Sequence, residues 1–346
     1  MTSQICDHAN LVFKPEFFDP SKAYGDYHAN IAEAYRQGVA YKLEHGLTSG
    51  SVLIKEDRAH CAMITDLQRD FRPLGRLPVS GTDDVALRTC VRLLNGTVEG
   101  FFGGLTYSLD GHPTPHISFD YYWKNVQTGQ PLNLDVRKAA CLTLVDEAKA
   151  IFRCYGFSPT GEIEELGYYQ ATTFIKDSVD YFKHLQKTDQ GDPWVFAAHC
   201  MLGTDGTNLH PLLIETIQFM CGALSITPGV IFKGHIMNTD WFGPLCPCRV
   251  DPSNPQAGFQ KDIVDEFKKF RTTEFYGVAE DFCDYHMKRQ AMDYLTGTDY
   301  MTKLRFVTDG TAPIIPGAAH VIEQNKKALA AGVKFIQHDT SFAEAA

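Results

Sequence analysis

No stretch of the sequence approaches 18 uninterrupted apolar residues, and no early segment joins a basic start, an apolar run and a small-residue cleavage site. A membrane span and a secretory leader are therefore not expected. Basic charge is also short: 32 Lys and Arg stand against 42 Asp and Glu, a formal net charge of -10 at pH 7. Phosphate backbones are bound by clustered cations, so no nucleic-acid partner is expected. The chain reads as a soluble, cytoplasmic protein whose partner is a small molecule, with homo-oligomerisation left open. Internal repeats, low-complexity tracts and a disulfide framework are missing too. The ten cysteines are scattered. Cys61, Cys90, Cys141 and Cys221 sit inside apolar runs, where a reduced thiol behaves as a small hydrophobe. Cys246-Pro-Cys248 is the one close pair, and its spacing does not match a zinc knuckle.

What is present suffices for a full core: 346 residues, 44% hydrophobic and 21% charged. Six short apolar runs, at 60–66, 102–108, 194–199, 228–233, 274–279 and 304–308, are bounded by Gly, Pro, Asp or charged residues and read as buried parallel strands. Helix-like segments lie between several of them, at 82–95, 211–224, 258–271 and 283–296. The first opens on Thr82-Asp83-Asp84 and closes at Asn95-Gly96. Strand alternating with helix predicts an α/β fold, a three-layer α/β/α sandwich around a six-stranded, mainly parallel sheet. Two regions break this rhythm. Residues 1–59 hold one amphipathic helix, at about 29–45, and read as an N-terminal extension. Residues 121–190 hold helix-like pieces at 135–154 and 170–187 and read as a helical insertion, a candidate lid, within a domain spanning 60–325. Residues 326–346 read as a C-terminal helix and tail.

Sheets of this kind place ligands beyond the carboxyl ends of their strands, and the residues there are reactive ones. Phe275 to Cys283 reads as a strand running into a helix with a cysteine at the turn. A thiol at a helix N-terminus is expected to have a lowered pKa, and the free N–H groups of the same turn can receive an oxyanion. Asp66 follows the apolar run 62–65. A carboxylate partly withdrawn from water there suits a proton acceptor, although an aspartate can also serve only as a turn residue. Lys233 ends an otherwise apolar strand and so should have an anionic neighbour. Asp110-Gly111-His112 and His199 form a second cluster whose imidazole and carboxylate donors suit zinc, iron or manganese. His116, between Pro115 and Ile117, is either a fourth ligand or a loop histidine.

At these residues the sequence resembles the isochorismatase-like cysteine hydrolases, and within them the nicotinamidase/pyrazinamidase branch. Asp66-x-Gln68-x-Asp70-Phe71 is similar to the family's catalytic aspartate motif and Asp110-x-His112 to its metal pair. Trp194 to Gly206, with His199 and Cys200, resembles its aromatic and metal-histidine segment. Phe232-Lys233-Gly234 resembles the catalytic lysine strand, and Gly277-Val278-Ala279-x-Asp281-x-Cys283 the nucleophile turn; Val307 to Ala312 resembles the closing strand. The resemblance covers roughly 60–120 and 190–325. It implies catalysis by Asp66, Lys233 and Cys283, and an oxyanion hole of the Ala279 and Cys283 N–H groups after a cis Val278–Ala279 peptide. It also implies one divalent metal ion, zinc first and iron or manganese otherwise, on Asp110, His112, His199 and His116, with a ring clamp of Phe71 and Trp194. The implied reaction is hydrolysis of a small carboxamide, nicotinamide or a related heteroaromatic amide, through a thioester. Glu280 and Phe282 bring unexpected charge and bulk close to the cysteine. A ureido or carbamoyl substrate, or a non-catalytic ligand-binding role, is the alternative.

Overall fold

The structure is a computed structural model, and it describes residues 11–134, 139–158, 162–188, 192–251, 254 and 257–346. In chain order the elements are α1 (Ile31–His45), α2 (Gly50–Lys55), β1 (His60–Thr65), α3 (Thr82–Val98), β2 (Phe102–Asp110), β3 (Trp123–Asn125), β4 (Ala139–Asp146), β5 (Ile151–Phe157) and β6 (Ile163–Ala171). There follow α4 (Ile175–Lys187), β7 (Trp194–Phe196), α5 (Pro211–Leu224), β8 (Gly229–Lys233), α6 (Lys261–Phe267), β9 (Thr273–Val278), α7 (Cys283–Leu295), β10 (Leu304–Ala312), α8 (Ala319–Ala330), β11 (Lys334–Ile336) and α9 (Phe342–Ala345).

Six of these strands form one sheet in the order β11-β10-β9-β1-β2-β8, and every pairing in it is parallel. Alternate residues of β1 serve opposite faces, as the two-residue period of a strand requires. Cys61 and Met63 pack with Phe267 of α6, Met287 of α7 and Ala328 of α8. Ala62 and Ile64 join the core that holds α3 and α5. Both faces are thus covered, and the predicted sandwich is present. Its membership differs from the expectation at one place. Residues 194–196 are a strand, but in another sheet, and the sixth parallel strand is Lys334–Ile336, where a helix and tail were expected.

The region 121–190 is also different in kind. In place of a helix over 135–154 it carries strands 139–146 and 151–157, with residues 135–138 outside the described set. Strands β3, β6, β5, β4 and β7 form a five-stranded sheet whose pairings are antiparallel. Glu147 to Ala150, read as helix formers, make the turn between β4 and β5, and Ala150 sits in the left-handed region at φ 52°. Only α4 keeps the expected helical character. Its Phe182 closes the insertion's core on Phe152 and Trp123, with ring centroids 4.6 and 5.6 Å away.

The N-terminal segment lies on the α3/α5 side. Gly38 and Gly222 let α1 and α5 approach closely: a Cβ at Gly38 would stand 2.1 Å from the Phe219 carbonyl oxygen. The buried Glu215 carboxylate fixes the segment by accepting from Tyr27 Oη and Asn30 N, each at 2.7 Å. Residues 1–10 of the expected extension lie outside the described set.

Candidate active site

Four strand ends, those of β1, β2, β8 and β9, bring the reactive groups together. Asp66 follows β1 with a left-handed φ of 47°, and Gln68 clips the ends of β1 and β2. Its Nε2 donates to the Asp110 carbonyl at 2.8 Å, and its Oε1 accepts from Asp110 N at 2.8 Å. Asp110 and Lys233 are register partners at the ends of β2 and β8. The Lys233 ammonium lies 2.9 Å from Asp66 Oδ2, 2.9 Å from Asp110 Oδ1 and 3.5 Å from Cys283 Sγ. Asp66, Lys233 and Asp110 are 0%, 1% and 2% exposed, so the expectation that a buried lysine would have anionic company is met twice over. Glycine is required beside them. Gly234 has φ 78°, and a Cβ there would stand 2.6 Å from Asp110 Oδ1.

One ammonium between two carboxylates divides their roles. Burial alone would raise Asp110, but His112 and Lys233 outweigh it and hold the carboxyl well below the usual range. Asp66 is raised: burial comes first, Lys233 opposes it, and the ionised Asp110 adds to it. Lys233 stays charged because Asp110 and Asp66 more than offset its burial. The thiol departs from the sequence expectation. Cys283 does open α7, yet its pKa is pushed well up, by burial first and then by Asp66 and Asp110 against Lys233.

Asp110, His112 and His199 offer ligand atoms within 4.8 Å of one another. Asp110 Oδ2 lies 2.9 Å from His112 Nε2 and 3.5 Å from His199 Nε2. Each ring turns its other nitrogen to a carbonyl, His112 Nδ1 to Gly234 O at 3.1 Å and His199 Nδ1 to Ala197 O at 2.8 Å. That leaves the Nε2 lone pairs for a cation, the usual way a ligating imidazole is oriented. His116 is buried beside His112, ring centroids 4.3 Å apart; its Nδ1 accepts from Ser118 N at 3.3 Å, and its donor atoms group with those of His112 and Asp240, not with those of Asp110 and His199. The donor chemistry of Asp110, His112 and His199 fits a divalent ion. Asp70, part of the aspartate motif, braces the histidine segment by accepting from Cys200 N at 2.6 Å.

The pocket over these groups is walled by Phe71, Phe196, Trp241, Phe242 and Phe282, with Ala279 and Cys283 at its base. Of the expected ring clamp, Phe71 lines the pocket and Trp194 does not. Trp194 stands one ring back, edge-on to Phe282 at 5.1 Å, and Phe196 occupies the wall. The Val278–Ala279 peptide is cis. Glu280 is half-buried and its N–H donates to the Ala312 carbonyl at 2.8 Å, whereas Phe282 faces the pocket. Sequence reasoning missed Asp240, Trp241 and Phe242, which lie in an irregular loop after β8. The tripeptide's apolar weight next to a lone acid was the signal available.

No family model matches the chain, and no curated protein does. The solved structures to which it is similar include nicotinamidases, pyrazinamidases and an isochorismatase-like hydrolase. Yeast nicotinamidase bound to the inhibitor nicotinaldehyde is 15% identical with a TM-score of 0.48, over 80% of this chain and 99% of that one. The Acinetobacter baumanii nicotinamidase/pyrazinamidase is 18% identical with a TM-score of 0.47, over 81% and 97% of the two chains. Pyrococcus horikoshii pyrazinamidase in complex with zinc is 15% identical with a TM-score of 0.43, over 80% of this chain and 98% of that one.

Proposed function

We propose that the chain is a cysteine amidohydrolase that cleaves a small carboxamide, of the nicotinamide or related heteroaromatic class, to carboxylate and ammonia. The observation that carries this is the meeting of Asp66, Lys233 and Cys283, from three separate strand ends, within 3.5 Å of one ammonium. A binding module has no need of a nucleophile with its own base. The sequence motifs around these residues support the same reading.

Cys283 Sγ attacks the amide carbon as its proton passes to Asp66, and the C–S bond forms while the carbonyl electrons move to oxygen. Lys233 holds the charge of the thiolate as it develops. The N–H groups of Ala279 and Cys283 receive the oxyanion. Asp66 then returns the proton to the leaving nitrogen, the C–N bond breaks and ammonia departs. Water, deprotonated by Asp66, cleaves the thioester and regenerates the thiol. A carboxyl raised by burial suits a group that must both accept and return a proton. Asp110, His112 and His199 would hold a divalent ion, which when bound supplies a Lewis-acidic anchor for a ring nitrogen or a water.

Ammonia release from a panel of heteroaromatic, aliphatic and ureido amides tests the reading. Turnover of a heteroaromatic amide that disappears in Cys283→Ala is expected. Turnover that survives the substitution would remove the thiol mechanism, and no turnover of any amide would leave a ligand-binding role. If chelation abolished turnover while Cys283→Ala spared it, metal-hydroxide attack would take its place.

A further inference from the structure

The turn that carries the nucleophile is held from outside by one carboxylate. Asp281, two residues before Cys283, is 2% exposed. Its Oδ1 accepts from Ile314 N at 2.8 Å and its Oδ2 from Ile315 N at 2.7 Å, while its carbonyl accepts from His320 Nε2 at 2.9 Å. A carboxylate on backbone N–H groups makes charge-assisted bonds, about twice as strong as neutral ones. Inside the turn, Phe282 N and Asp284 N both donate to the Ala279 carbonyl at 3.0 Å. The first turn of a helix leaves N–H groups without helical acceptors, and those of α7 are the obvious partners for an acid placed just before it. Asp281 turns away from them. The N-cap is Phe282, with no side-chain cap bond, and both Asp281 oxygens are taken by the loop after β10. Its negative charge is thereby directed away from the place where an oxyanion would form. Ile314, which supplies one of the two N–H groups, lines the pocket together with Ala279, Phe282 and Cys283. One side chain thus joins the nucleophile turn to a pocket wall.

We propose that Asp281 is a positioning residue for the hydrolysis: by accepting the Ile314 and Ile315 N–H groups it holds the turn so that the Ala279 and Cys283 N–H groups stay open to the tetrahedral oxyanion. This rests on the amidohydrolase reading. Donors raise the rate only when fixed where charge develops, so a turn released from Asp281 loses transition-state stabilisation before it loses ligand binding.

The test uses the full chain and three probes: the panel amide turned over fastest, its carboxylate and its aldehyde, with nicotinamide, nicotinate and nicotinaldehyde as the expected trio. Cys283 Sγ adds to the aldehyde carbon, the C–S bond forms, the thiol proton passes to Asp66 and the carbonyl electrons move to oxygen. Aldehyde affinity therefore reports the tetrahedral state, and carboxylate affinity reports the planar pocket. Asp281→Asn keeps the side-chain volume, but its amide NH₂ opposes one of the two backbone N–H groups. Its kcat and aldehyde affinity should both fall about 100-fold, with KM and carboxylate affinity little changed. Wild-type kcat and aldehyde affinity in Asp281→Asn overturn the proposal and leave the amidohydrolase reading standing. Equal losses for aldehyde and carboxylate mark a merely structural residue and overturn it too. If wild type neither hydrolyses an amide nor forms an aldehyde adduct, both readings fall together. Should Asp281→Asn not fold, Asp281→Glu carries the decision: it keeps the charge and displaces both oxygens by one methylene, so aldehyde affinity must fall relative to carboxylate affinity, and an unchanged ratio counts against the proposal.

Discussion

The two sheets of this molecule do different work. The parallel sheet supplies Asp66, Asp110 and Lys233 at the ends of β1, β2 and β8, and its β9 leads into Cys283. The antiparallel sheet supplies shape: Phe196 of β7 in the pocket wall, and Trp194 behind it. Only His199, just past β7, crosses from the second group to the first. A parallel sheet gathers distant residues at one rim because all its strands end on the same side. An antiparallel sheet alternates its ends and is better suited to making a wall.

Substitutions on the two sides should therefore fail in different ways. The largest effect is expected from Cys283→Ala, with turnover falling by about 10⁴-fold or more while thermal unfolding shifts little. A parallel loss of folding would break the separation between chemistry and architecture. Lys233→Met strips the ammonium from two buried carboxylates. It should cost about 3–5 kcal/mol in urea unfolding, besides most of the turnover. On the insertion side, Phe152→Ala empties a site packed by Trp123 at 5.2 Å and Phe182 at 4.6 Å and should cost about 3 kcal/mol. Steady-state kinetics should show it as a raised KM with kcat less affected, and an equal fall in both would place the insertion in the chemical step.

The smallest effect concerns pH. Turnover needs Asp66 as carboxylate, and burial raises its pKa. The acid limb of kcat/KM should therefore lie above the ordinary aspartate range near about 3.9. Below that limb Asp66 holds its own proton and cannot take the one on sulfur. The Ser108 hydroxyl donates to Asp66 Oδ1 at 2.5 Å and favours the ionised form. Ser108→Ala should move the limb upward by up to about one pH unit. A limb that stays in place, or moves down, would take the base role away from Asp66.

The same contrast governs how much could be read from sequence. Strands β1 and β9 are continuous apolar runs because both faces are covered, and the groups at their ends stood out against them; β8 is an edge strand with Val230 and Phe232 exposed, yet its apolar run still set off Lys233. β4 and β5 were taken for a helix. The Asp146-Glu147-Ala148-Lys149-Ala150 stretch is rich in helix formers, and the alternate burial of Phe152, Cys154 and Gly156 is a weaker signal than that propensity. β11 is a three-residue edge strand whose place depends on β10, so nothing local announced it. Trp194–Phe196 was recognised as extended, but the sheet it joins is set by partners at 139–141. Asp240 escaped because its proximity to His116 arises from loop packing, which leaves no period in sequence. The thiol's pKa was misjudged because burial at the pocket base depends on rings from four segments.

His199 sits where the two sheets meet, and that placement ties reactivity to completion of the fold. A chain whose parallel sheet has formed but whose antiparallel one has not would own a cysteine, an acid and a lysine without an enclosing wall or a full set of imidazoles. Copies in which the second sheet has not formed should therefore lack the pocket wall and the His199 donor.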